Sequence, residues 1–96
     1  MFEIEAAGEG VIVVKGRLDA AQSEKAESFL DGFDGELSID LSGLEYVSSA
    51  GLGVFLKTHK RLMSSGHALR LTNVSNHIND IFKYSGFDKL FTIETG

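Results

Sequence analysis

The chain has 96 residues, room for one domain and one hydrophobic core. It is 43% hydrophobic and 24% charged, which excludes a disordered tail, and its net charge of −5 makes it a poor general ligand for nucleic acid or anionic lipid. Cysteine is absent, which excludes disulfides and thiolate metal sites. No apolar run is long enough to span a membrane, and Met1-Phe2-Glu3-Ile4-Glu5 has neither the basic nor the apolar region of a signal peptide. The expected location is the cytoplasm, with residues 1–96 read as one domain.

The elements follow in chain order. Phe2-Glu3-Ile4-Glu5 alternates like a strand, and Gly8-Glu9-Gly10 signals a turn. Val11-Ile12-Val13-Val14 is a β-branched run, predicted as a strand buried on both faces and paired with the first as a hairpin. Gly16-Arg17-Leu18-Asp19 leads into a helix from about Ala21 to Leu30, with Ala26, Phe29, Leu30 and Phe33 on its apolar stripe. Leu37-Ser38-Ile39-Asp40-Leu41 alternates again, and a loop is expected after it. Leu52, Phe55, Leu56, His59, Leu62 and Met63 then recur at helical spacing up to Gly66, a C-terminal glycine. Ala68–Thr72 reads as a strand. Ser75 reads as the N-cap of a helix carrying Ile78, Ile81 and Phe82, stopped near Gly86, and Phe91–Glu94 as a last short strand.

The order β-β-α-β-α-β-α-β implies an α/β domain with a mostly parallel mixed sheet. Several strands have one apolar and one polar face, so the helices are expected mainly on one side of the sheet.

Chemistry concentrates between Asp40 and Gly53, at a strand-to-helix junction, where parallel sheets place functional sites. Ser48 and Ser49 open a helix whose first N–H groups and positive dipole end favour an anion. Ala50, Gly51 and Gly53 are small enough for another backbone to approach. The plain alternative is that Ser48 caps the helix, Ser49 fills its first turn and neither has a chemical role. A nucleophilic serine would need a base oriented by a third group. His59, His67 and His77 are scattered along the chain, which leaves no evident catalytic residue and no metal spacing. Gly51-x-Gly53 lacks the lysine of a phosphate loop. Asp19 and Asp40 could meet at strand ends around a cation, or stand as two solvated carboxylates. Lys57, Lys60 and Arg61 read most simply as a solvated helix face, or as a minor contact surface.

The run Asp40-Leu41-Ser42-Gly43-Leu44-Glu45-Tyr46-Val47-Ser48-Ser49-Ala50-Gly51-Leu52 closely resembles the signature of the STAS domain, and the whole chain resembles a stand-alone anti-sigma factor antagonist. Gly16–Asp19 and the ending Ser85-Gly86-Phe87 to Leu90-Phe91-x-Ile93 extend the resemblance. It implies a regulator rather than an enzyme, with no cofactor. In its unphosphorylated form it would bind a serine-kinase anti-sigma factor and free the sigma factor. Phosphorylation would switch binding off, and a phosphatase would reverse it. The resemblance places the phosphate on Ser49, with Ser48, standing where that family often carries an acid, as the second candidate. The expected partner surface comprises Asp19, Asp40, Tyr46, Ser48, Ser49, Ala50, Gly51 and Gly53. Neither nucleic acid nor membrane is an expected partner, and the free protein is expected to be a monomer. The alternative is a constitutive STAS scaffold or sensor module that needs no phosphorylation.

Overall fold

The computed structural model describes residues 1–90 and 92–95. Strands β1 (Phe2–Gly8) and β2 (Val11–Leu18) form an antiparallel hairpin around Glu9 and Gly10, with Gly10 at φ +71°. Helix α1 spans Ala20–Leu30 and strand β3 Leu37–Val47. Helix α2 spans Ser49–Ser64, β4 Leu69–Val74, α3 Asn76–Ser85 and β5 Thr92–Thr95. A single 3₁₀ turn at Phe87–Lys89 joins the last two. This is the β-β-α-β-α-β-α-β order read from the sequence. Phe91, expected in the last strand, lies outside the described residues.

The strand order is β1-β2-β3-β4-β5, with β2 to β5 mutually parallel. Each right-handed crossover steps one strand in the same direction, so all three helices fall on one face. Burial agrees. Ile12, Val14, Leu18, Ile39, Leu41, Leu69 and Leu71 are fully buried beneath the helices. Their neighbours Val13, Asp40 and Thr72, aligned across β2, β3 and β4, are only half-buried on the open face.

Four expectations are corrected. The Val11–Val14 run is buried on one face, not two: Ile12 and Val14 are at 0% exposure while Val11 is at 37%. No helix covers the second face, so β-branched composition there reflects strand preference rather than double burial. Met63 is 58% exposed while its neighbour Leu62 is 1% exposed, so Leu62 and not Met63 carries the buried stripe at the end of α2. Phe33 lies beyond the end of α1 and packs from the following turn. The loop expected after Leu41 is strand: β3 continues to Val47.

That extension hides behind bulges. Eight residues of β2, Val11 to Leu18, run against ten of β3, Ser38 to Val47, with register shifts after Asp40 and after Leu44. Each bulge adds a residue to β3, so inward positions fall three apart, at Leu41, Leu44 and Val47, instead of two. Asp40 closes the first bulge. Its Oδ1 accepts the Ser42 N–H at 2.8 Å, and its Oδ2 accepts Asn73 Nδ2–H at 3.1 Å. Burial opposes the charged form, but these hydrogen bonds, one with the Ser42 side chain and the Lys15 charge outweigh it and lower the carboxyl's pKa.

Candidate functional site

Three helices begin at the same end of the sheet, and each N-cap side chain accepts a first-turn N–H. Asp19 Oδ1 takes Gln22 N–H at 3.1 Å, Ser48 Oγ takes Gly51 N–H at 3.2 Å, and Ser75 Oγ takes Ile78 N–H at 3.3 Å. The positive ends of three helix dipoles therefore gather at one edge. At α2 the cap is neutral and the first turn carries no acid.

The ends of β2 and β3 are tied together. Ser48 N–H donates to the Leu18 carbonyl at 2.9 Å, which sets the caps Asp19 and Ser48 side by side on neighbouring strand ends. Gly51 is buried against this junction. A Cβ there would meet Leu18 Cγ at 2.8 Å, Leu18 O at 2.9 Å and Val47 Cγ2 at 2.9 Å. The glycine is what lets α2 start this close to the sheet. Gly53 differs: it is exposed, and a Cβ there meets nothing within 4 Å.

The two serines also differ. Ser48 is half-buried and its oxygen is engaged as the cap. Ser49 is exposed at the first helical position, and its hydroxyl makes no hydrogen bond among the described residues. Ala50 is exposed beside it. Tyr46 is half-buried on the open sheet face, paired in register with Arg17, whose guanidinium carbon lies 4.5 Å from the ring centroid. Such a stack contributes about 0.5–1 kcal/mol at an exposed site.

Of the sequence-predicted residues, Asp19, Tyr46, Ser48, Ser49, Ala50, Gly51 and Gly53 are brought together here. Asp40 is not. It sits seven residues before Val47 on β3, roughly 20 Å along the strand. The cation pair considered for Asp19 and Asp40 is therefore not formed. Among the described residues no group of three or more His, Asp or Glu side chains could hold a metal ion. His59 is ten residues along α2 from Ser49, about 15 Å by helical rise. His67 instead approaches the Glu36 carboxylate, with its Nδ1 at 3.5 Å.

The basic helix face is exposed at Lys57 and Lys60, as expected, and it also carries ion pairs. Lys57 Nζ lies 2.6 Å from Glu27 Oε1, and Arg61 reaches Asp31, Asp34 and the Leu30 carbonyl. Two of those three cations thus join α2 to α1. The hydrogen bond and charge of Glu27 raise the Lys57 pKa. Arg17 escaped the sequence reading. Continuing the alternation of Val14, Gly16 and Leu18 would have placed it on the outward face of β2.

No helix among the described residues is long and apolar enough to cross a membrane. The family model described as "Mlab, STAS domain" matches residues 2–93. BtrV of Bordetella bronchiseptica, provisionally described as an anti-sigma factor antagonist, is 31% identical over 86% of this chain and 75% of its own length. The anti-sigma-B factor antagonist of Listeria monocytogenes is 30% identical over 86% of this chain and 76% of its own. The fold is similar to that of the Bacillus anti-sigma factor antagonist SpoIIAA. Its unphosphorylated form aligns with a TM-score of 0.72 and 17% identity, covering 100% of this chain and 88% of SpoIIAA. Its phosphorylated form aligns at 0.70 and 20%, covering 99% and 92%. The matched span takes in the hairpin, the bulged β3 and the serine pair at the start of α2, and this chain belongs to the STAS domain family.

Proposed function

We propose that this chain is an anti-sigma factor antagonist. Unphosphorylated, it binds a serine-kinase anti-sigma factor and releases the sigma factor. The kinase then phosphorylates Ser49, binding is lost, and a phosphatase resets the switch. The domain catalyses nothing itself, acts in the cytoplasm and is a monomer when free. The docking surface is the shared end of β2, β3 and α2: Asp19, Tyr46, Ser48, Ser49, Ala50 and Gly53, with Gly51 shaping it from beneath.

The observation that carries this reading is the contrast between the two hydroxyls. Ser48 is spent on the cap, whereas Ser49 is exposed and unengaged at a helix start that accepts negative charge. A dianion there is tolerated by the domain alone. In a docked complex it would be desolvated against the partner, so affinity falls while the fold stands. The relatives named anti-sigma-B factor antagonist support the antagonist role.

The test is intact mass and peptide mapping after incubation with ATP and the cognate anti-sigma kinase. One phosphate on Ser49, abolished by Ser49→Ala, is the expected result. Ser49→Asp should weaken the complex about thirtyfold to hundredfold, a loss of about 2–3 kcal/mol, with an unchanged melting curve. A stable complex with no phosphate would replace the switch with a constitutive scaffold. A phosphate elsewhere would overturn the Ser49 assignment.

A further inference from the structure

Arg17 stands apart from the chain's other two arginines. Arg61 lies within ion-pair range of Asp31 and Asp34, and Arg70 pairs with Glu94 across β4 and β5. Arg17 has no carboxylate in range and no hydrogen-bond acceptor for its guanidinium among the described residues, although the chain is rich in acids. It is exposed, and its one close partner is the ring of Tyr46. A guanidinium resting on an aromatic face loses little freedom when its N–H edge binds, and that edge matches the two oxygens of a carboxylate.

Its position connects this group to the docking surface. Arg17 and Tyr46 are register partners and the penultimate residues of β2 and β3, two residues before the caps Asp19 and Ser48. Tyr46 is three residues from Ser49, within about 10 Å even for extended chain. The stack faces away from the helices, so the surface continues from the start of α2 around the sheet end.

We propose that Arg17, held over Tyr46, is the carboxylate-binding anchor of the docking surface and takes an Asp or Glu side chain of the kinase-type partner through paired hydrogen bonds. The inference rests on the docking reading above and adds the chemistry of the partner's matching surface, which is acidic. It also accounts for the direction of the switch. A phosphate on Ser49 places about two negative charges next to the spot where a partner carboxylate must sit, and like charges expel it. Arginine and tyrosine are the residue types that most often dominate such interfaces.

The experiment is calorimetric titration of the full chain with the anti-sigma kinase at low and high salt. Arg17→Ala should weaken binding about thirtyfold and flatten the salt dependence. Arg17→Lys keeps the charge but loses the fork, so it should recover only part of that loss. Tyr46→Ala should also weaken binding, and its combination with Arg17→Ala should lose less than the sum of the two single losses, because the ring holds the guanidinium. Melting temperatures of the arginine variants should fall by no more than a few degrees, the loss of the ring stack alone, because the side chain is exposed. Arg17→Ala binding within twofold of the parent, while Ser49→Asp and Gly53→Trp still weaken the complex at least tenfold, would overturn the anchor and leave the docking surface standing. No loss in any of the three would overturn both.

Discussion

The two halves of β3 obey different rules. From Leu37 to Asp40 the strand is regular, pairs on both sides with β2 and β4, and alternates buried and outward residues. From Leu41 to Val47 it pairs with β2 alone, bulges twice, and brings inward residues three apart. The regular half builds core. The bulged half also delivers core residues, but it bends the chain into the start of α2 and aims Tyr46 outward beside Arg17. Bulges next to functional sites commonly re-aim side chains in this way, so the departure from regularity coincides with the part of the strand that the proposed docking surface uses.

The sharpest way to break that comparison is Leu44→Ala. A residue in a surface loop would lose little on truncation. Leu44 is 4% exposed and sits between the two bulges as part of the core. Truncation there should cost about 2–5 kcal/mol, read as a drop in urea midpoint without a change of slope. A loss below about 0.5 kcal/mol, ordinary for surface sites, would mean that the bulged half is not packed as described.

Gly51→Ala is the next largest. The added methyl would press on the Leu18 carbonyl, which is backbone and cannot swing aside, as well as on two side chains. Overpacking costs about 1–3 kcal/mol, and the helix-propensity gain of about 1 kcal/mol over glycine offsets only part. Net destabilisation is expected, with binding to the partner also impaired because α2 must shift off the sheet end. Thermal melts and a binding titration read the two effects separately.

Asp40 tests the other half. Its lowered pKa means the folded state holds the carboxylate more strongly than the unfolded chain does. That contribution is fully present above the unfolded value and is lost as pH falls through the folded value, so the window lies below about pH 4. Asp40→Asn should therefore lower stability by about 1 kcal/mol near neutrality and flatten the acid limb of the stability curve. Because Asp40 is remote from α2, partner affinity should stay at the parent level. A loss of affinity would return Asp40 to the docking surface that the sequence reading gave it.

Much of this was legible from residue patterns. The hairpin, the helices and their caps at Ser48 and Ser75, the stop at Gly86 and the single covered face all follow from periodicity and turn chemistry. What escaped was set by irregularity. Two extra residues in β3 erase the period-2 signal, so Ser42–Val47 looks like a loop although it is strand. The motif reads as one continuous stretch, which groups Asp40 with the serines. In three dimensions an extended strand separates them. The cross-strand meeting of Arg17 and Tyr46 depends on a register that those bulges decide, and no local pattern reveals it.

Gly53→Ala carries the smallest effect and the most direct message, because its sign is opposite to that of Gly51→Ala two residues earlier. Nothing lies within 4 Å of the position a Cβ would take, and the backbone is helical with no positive φ. Helix propensity alone should then stabilise the domain by up to about 1 kcal/mol. The fold gains nothing from a glycine at this exposed site, and the proposed docking surface gives its smallness a use. The variant should melt a few degrees higher while binding its kinase partner less tightly, and a larger side chain such as tryptophan should deepen the binding loss. A more stable Gly53→Ala that binds at full affinity would remove the first turns of α2 from the docking surface. The site would then contract to the strand ends, Ser49 and the Arg17–Tyr46 stack.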